Sequence, residues 1–233
     1  MVKKSATFAR MKAIAHIHTD FPTKFGIPRQ SGIIASLQGK IVFEPEYRIA
    51  EAVRGLEDFS HIWLLWEFSE AVRDKWSPTV RPPRLGGNVR KGVFATRSPF
   101  RPNPIGLSSV MLEKIETDPK LGPVIYVSGA DLMDGTPIYD IKPYIAYTDS
   151  HPDAVSGFAS RPAEYLLEVV FPEALLQKVA IEKREGLKAV LAHDPRPQYQ
   201  DDPNRVYGMV FDKVEVKFHV DGHRLEVLEV IPT

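Results

Sequence analysis

The chain of 233 residues contains no cysteine. That absence removes disulfides, thiolate nucleophiles, cysteine-type zinc sites and cysteine-ligated iron–sulfur clusters, and with the clusters their radical chemistry. No apolar run approaches the roughly 18 to 20 residues that a membrane-spanning helix needs. The opening stretch MVKKSATFARMKAIAHIHTD has no apolar core ahead of a small-residue cleavage site, so a cytoplasmic protein without a signal peptide is expected. No G-x-G-x-x-G follows a strand and no G-x-x-x-x-G-K-[ST] occurs. The usual dinucleotide and P-loop devices are therefore missing, and a nucleotide-like ligand needs another geometry. Net charge is lacking too: 30 Lys and Arg balance 30 Asp and Glu, so any basic cluster is local and offset elsewhere.

Such a cluster exists. From Arg81 to Gly106 the chain reads RPPRLGGNVRKGVFATRSPFRPNPIG, with six basic residues, no acidic ones, five prolines and four glycines. Arg81, Arg84, Arg90, Lys91, Arg97 and Arg101 can form a solvated face, but Pro82, Pro83, Pro99, Pro102 and Pro104 stiffen the backbone beneath them. Rigidity lowers the entropy lost on binding, and the planar guanidinium matches phosphate and carboxylate oxygens in pairs. The segment reads as a contact for an anionic ligand or a nucleic acid.

Patterning predicts a mainly β or α+β chain. Strands are expected from Phe8 to Ile17, at the run His16-Ile17-His18, and twice within Gly32 to Phe43 around Gln38-Gly39. Ile49, Val53 and Leu56 at helical spacing predict a short helix leading to Gly55. The aromatic run His61 to Phe68 predicts a buried strand, followed by strands at Gly92 to Thr96, Ile105 to Ile115 and Val124 to Ser128. Their spacing favours a barrel or sandwich over βαβ units. A smaller α+β domain is expected over 155–233 after a first domain over 1–154. It holds a strand from Tyr165 to Val170, a helix from Pro172 to Ala192, and a hairpin turning at Asp221-Gly222 between Lys213 to Val220 and Arg224 to Ile231.

Isolated chemical candidates are weak. His16 and His18 share a strand face but lack a carboxylate cluster of ligand spacing, and His219 and His223 merely straddle the predicted turn; neither pair reads as a metal site. Ser98 and Ser108 lack a G-x-S-x-G elbow. Asp131, Asp134 and Asp140, in DLMDGTPIYDIKPY, flank a loop fixed by Gly135 and Pro137. They serve either turn chemistry or a ligand's hydroxyls or positive charge. Trp63 and Trp66 read as core, and Trp76, among charged residues and proline, as a surface for base stacking.

Taken together, these segments resemble the TsaA-like proteins, tRNA N6-methyltransferases that act on threonylcarbamoyladenosine beside the anticodon. The matching segments are Pro28-Arg29-Gln30, His61-Ile62-Trp63, Arg81 to Gly106, Asp131 to Pro137, Asp140 to Tyr144, and Asp194-Pro195-Arg196-Pro197. The last of these is similar to the longer bacterial form with an added C-terminal domain. The resemblance implies an S-adenosylmethionine-dependent enzyme on an N-terminal β-barrel instead of a Rossmann-like sheet. It further implies a homodimer with the cofactor near the subunit contact. Cofactor contacts are implied at Pro28, Arg29, Gln30, His61, Ile62, Arg97, Leu107, Asp131, Leu132, Met133 and Asp134.

Methyl transfer from a sulfonium to nitrogen is an in-line displacement needing alignment at roughly 3 to 3.5 Å and no covalent enzyme intermediate. The acceptor nitrogen sits between a purine and a carbamoyl carbonyl and holds its lone pair weakly, so removing its proton helps. Asp134, Asp140 or Tyr144 can take that proton. Arg84, Arg90, Lys91 and Arg101 then have separate anionic targets in the anticodon-loop phosphates and the threonyl carboxylate. The rival readings are a noncatalytic RNA-binding module and a methyltransferase of this fold with another acceptor.

Overall fold

The computed structural model describes residues 11–72, 75–160, 166–196 and 202–233, apart from the side chain of Arg84. The Phe8 end of the first predicted strand, Tyr165 and Pro197 lie outside the described residues. A closed antiparallel barrel takes up the first two thirds of the chain. Its strands are β1 (Ala15–His18), β2 (Gln38–Phe43), β3 (His61–Glu67), β6 (Ile105–Asp118), β7 (Gly122–Ser128) and β8 (Thr136–Pro143), in the order β1-β2-β7-β6-β3-β8. A two-stranded ribbon, β4 (Thr79–Val80) and β5 (Lys91–Gly92), projects between β3 and β6 and begins the proline-rich arm.

Alternation drives barrel closure. In β3 the even positions Ile62, Leu64 and Trp66 are buried while their odd neighbours are only half-buried. In β6 Gly106, Ser108 and Val110 point inward while Leu107 and Met111 are exposed. Closure leaves the barrel no open edge. Trp66 lies directly opposite Gly106 across the β3–β6 ladder. A Cβ at residue 106 would come within 2.2 Å of the Trp66 ring. The absent side chain is therefore what lets an indole occupy the barrel end.

The second sheet, in the order β10-β11-β12-β9, comprises β9 (Glu168–Val170), β10 (Tyr207–Phe211), β11 (Val214–Asp221) and β12 (Arg224–Pro232). Strand β9 runs parallel to β12. Helix α1 (Ala146–Asp149) follows the barrel, and α2 (Glu173–Leu176) and α3 (Arg184–Ala192) accompany the second sheet. Leu187, Val190 and Leu191 of α3 bury together with Met209, Phe211, Val216 and Phe218, and Leu175 of α2 packs against them. Phe21, Ile34 and Leu37, from the connection between β1 and β2, enter this same cluster. Phe21 meets Phe211 edge to face with centroids 5.4 Å apart. Asp20 and Lys183 form an ion pair at 2.6 Å across the junction. The β1–β2 connection thus belongs to the barrel by sequence and to the second core by packing.

Several elements differ from expectation. The Gly32 to Phe43 segment forms one strand instead of two, because the positive φ of Gly32 and the following turn precede Gln38. The predicted helix before Gly55 is two short 3-10 turns, Pro45–Tyr47 and Ala50–Val53, with a third, Leu56–Asp58, beyond the left-handed Gly55 at φ +84°, and its Ile49 is 54% exposed. The Gly92 to Thr96 strand ends at Gly92 and becomes a 3-10 turn, Val93–Ala95. The single helix from Pro172 to Ala192 is broken at Ala180, whose ψ of 136° is extended, so that Val179 and Leu187 both reach the sheet. Strands β8 and β10 were not anticipated. Pro137 sits in β8 opposite His16 of β1, outside the stretch that also pairs with β3, which is where a strand tolerates a missing N–H.

Candidate active site

A cavity of about 540 Å³ opens at the barrel end where β3 stops and β6 and β8 begin, a size ordinary for a small-molecule site. Three parts of the chain wall it: the β1–β2 connection with Lys24, Pro28, Arg29 and Gln30; the barrel end with Trp66, Leu107, Asp131, Met133 and Thr136; and the arm with Thr96, Arg97, Phe100 and Arg101.

At the barrel wall a buried polar relay forms. The Trp66 indole N–H donates to Ser108 Oγ at 3.0 Å, and the Ser108 hydroxyl donates to Asp131 Oδ1 at 2.6 Å. Ser108 is only 1% exposed, so its hydroxyl has no solvent to exchange with and is held in this orientation. Burial pushes the Asp131 carboxyl above the ordinary carboxylate value, opposed in part by the Ser108 hydrogen bond and the positive charge of Arg97. The opposite wall is cationic. Arg97 donates to the Gln30 side-chain carbonyl, linking arm and connection. Arg101 donates to the carbonyls of Thr96 at 2.7 Å and Val93 at 3.2 Å, locking the arm's own turn.

The structure therefore brings together Pro28, Arg29, Gln30, Arg97, Leu107, Asp131 and Met133 of the expected cofactor set. Arg101, expected toward RNA, lines the same cavity. Ile62 and Leu132 are buried in the barrel core, and His61 stacks obliquely on Tyr144 with centroids 6.1 Å apart, away from the cavity lining. Asp134 does not line it either. Its carboxylate accepts from the Thr19 backbone N–H at 3.1 Å and faces His18 Nδ1 at 3.2 Å, which is turn chemistry. Asp140 pairs with Lys142 at 2.8 Å, and Tyr144 packs on Trp63. Arg90 donates to Thr79 Oγ1 at 2.9 Å, and Lys91 lies 5.8 Å from the Phe158 ring centroid; both sit on the arm outside the cavity. Arg84 belongs to the turn Pro83–Leu85, and its side chain lies outside the described residues. Trp63, expected in the core, is half-buried on the outer face, where it lines the cavity and donates to Asp149 Oδ2 at 2.9 Å. His16 faces Glu44 at 2.8 Å.

Residues the sequence reading did not assign to the site include Ser108, Gly106, Phe68 and Phe100. A signal was available for two: even-numbered inward positions in β6 place Gly106 and Ser108 on the face opposite Trp66.

The comparisons with known proteins agree with this architecture. Residues 16–150 match the model of the tRNA-methyltransferase O N-terminal domain, and residues 164–233 match that of the TrmO C-terminal domain. The tRNA (adenine(37)-N6)-methyltransferase of Escherichia coli K12 is 40% identical over 231 residues, covering 96% of this chain and 98% of that protein. The tRNA (adenine(37)-N6)-methyltransferase of Eikenella corrodens is 48% identical over 163 residues, covering 70% of this chain and 92% of its own. A crystal structure of TrmO from Pseudomonas aeruginosa superposes with a TM-score of 0.76 at 33% identity, covering 96% of this chain and 98% of that one. With both domain models matched in order along a closed barrel and its appended sheet, the chain belongs to the tRNA-methyltransferase O family.

Proposed function

We propose that the protein is an S-adenosylmethionine-dependent methyltransferase acting on N6 of adenosine 37 in tRNA, as the curated names of its relatives state for them. The observation that carries this reading is the cavity at the barrel end, where a supported carboxylate faces a cationic arm. The lining fits the methyl donor: Arg29 and Arg97 suit the carboxylate of its methionine part, Glu67 and Glu70 its ammonium, and Leu107, Phe68 and Phe100 its apolar surface. When bound, the cofactor supplies a methyl group on a sulfonium.

Asp131 is the proton acceptor in this reading. With the methyl donor held by the cavity lining, Asp131 would take up the proton that N6 gives up on methylation. Ser108 and Trp66 hold that carboxylate in place. A carboxyl already disposed to keep a proton is suited to the step. The acceptor is threonylcarbamoyladenosine, whose own carboxylate matches the surplus of guanidinium groups, and Arg84, Arg90 and Lys91 on the arm meet anticodon-loop phosphates.

The partner arrangement is a homodimer in the cytoplasm. Its support is the exposed apolar stripe Ile105, Leu107 and Met111 along the outer face of β6, beside the cavity. Among the described residues no helix is long and apolar enough to cross a membrane. The two domains, 1–154 and 155–233, divide the work: the first carries chemistry, the second braces the β1–β2 connection that lines the cavity.

Incubation with methyl-labelled S-adenosylmethionine and tRNA, with and without the threonylcarbamoyl group, followed by nucleoside mass spectrometry, tests the reading. Methylation of the modified adenosine alone is expected. Calorimetry without cofactor binding would remove the enzyme reading, and cofactor binding without methylation of either tRNA would point to another acceptor.

A further inference from the structure

The arm carries a feature outside the cavity. Trp76 and Phe94 lie with ring centroids 6.2 Å apart and planes inclined by only 30°. They are 53% and 71% exposed. Single exposed apolar residues are ordinary, but two large, largely exposed rings inclined by only 30° to each other are not.

The surroundings hold the pair in place. Val93, the neighbour of Phe94, is 1% exposed and its N–H donates to Pro78 O at 2.9 Å. The Arg101 guanidinium lies 5.8 Å from the Phe94 ring centroid while also lining the cavity. One arginine thus connects the aromatic ledge to the reaction site.

We propose that Trp76 and Phe94 form a stacking site for an unpaired nucleobase of the RNA strand next to the methyl acceptor. This rests on the tRNA reading above and adds a site to it. Stacking accepts any base, since every base has a flat π-face, so the ledge fixes position while the cavity selects the acceptor. Charge decides between occupants. From Lys75 to Gly106 there is no acidic residue, so a polyanion complements the surface around the rings. A second copy of the chain, docking ledge to ledge, would bring two basic segments together.

The test uses the full-length protein and a synthetic anticodon stem-loop with an unpaired target adenosine, read by fluorescence anisotropy. Trp76→Ala and Phe94→Ala each weaken binding about tenfold, with the slope of affinity against salt unchanged. Trp76→Tyr and Phe94→Tyr restore most of the loss. With stem-loops made abasic beside the target, the alanine variants and the wild type bind alike. Unchanged affinity in both alanine variants, while the wild type binds and methylates, overturns the ledge alone. Lost affinity accompanied by dissociation in sedimentation velocity assigns the rings to a second copy and overturns it too. A wild type that neither binds nor methylates RNA fails the functional reading itself, and the ledge with it.

Discussion

The two facing walls of the cavity are both rigid, but by opposite means. The barrel wall is built of long ladders, β6 alone running from Ile105 to Asp118, and its polar groups are buried in a relay that ends on a carboxylate. The arm wall has only a two-residue pairing at β4 and β5, and is fixed by prolines and by Arg101 bonding its own backbone. One wall presents a half-buried carboxyl, the other the guanidinium groups of Arg97 and Arg101. The comparison teaches that chemistry and capture make different structural demands. A proton acceptor must be held away from water in one orientation. Groups that meet a flexible polyanion need only charge and a stiff support.

Breaking the barrel wall gives the largest effect. Asp131→Asn lowers kcat by about 10²- to 10⁴-fold, measured in single-turnover methylation, with cofactor affinity by calorimetry kept within a few-fold. The same variant changes the response to pH. The Asp131 carboxyl is raised by burial, so the folded chain holds its proton more tightly than the unfolded chain. The resulting stabilisation is complete below the ordinary carboxylate value and is lost as pH rises through the raised one. Asp20, also raised by burial, carries the same sign at the domain junction. As pH rises above the ordinary carboxylate value, urea midpoints therefore fall less steeply in Asp131→Asn than in the wild type. Activity of the wild type rises as pH climbs through the raised Asp131 value.

Gly106→Ala comes next. Its Cβ would meet the Trp66 ring at 2.2 Å, and overpacking of this kind costs about 1 to 3 kcal/mol. Displacement of the indole would also break its bond to Ser108, so thermal unfolding and activity should both decline, with activity the more affected. A variant with normal stability and normal turnover would show that the relay does not depend on the indole.

The smallest effect belongs to the arm. Lys91→Ala reduces tRNA affinity only a few-fold, but it lowers the slope of log affinity against log salt by about 0.7 and leaves cofactor affinity unchanged. If cofactor and tRNA affinity fell together, the division between the walls would be lost.

What was legible in the sequence follows the same division. That β3 and β6 are strands could be read because the signal is local, but the faces of β3 could not: Trp63 and Trp66 both read as core, whereas only Ile62, Leu64 and Trp66 point inward. The hairpin at Asp221-Gly222 was equally local. Strand β8 was hidden because Gly135 and Pro137 signal a turn, and its pairing with β1 is set by residues far away in the chain. At the site, the basic arm announced itself by composition. The relay did not: Ser108 was weighed only as a nucleophile, and its position between Trp66 and Asp131 arises from closure of the barrel. Asp131 and Asp134 look alike in sequence, yet one faces the cavity and the other fastens a turn to Thr19.

The placement of Phe21, Ile34 and Leu37 in the second core has a consequence for the order of events during synthesis. Every barrel strand leaves the ribosome before β10, β11 and β12, so these three residues must wait for partners encoded near the other end of the chain. Until Phe211 arrives to meet Phe21, the connection carrying Arg29 and Gln30 has only one of its two anchorages. The wall of the cavity that carries Arg29 and Gln30 is thus the part of the first domain whose support is made last.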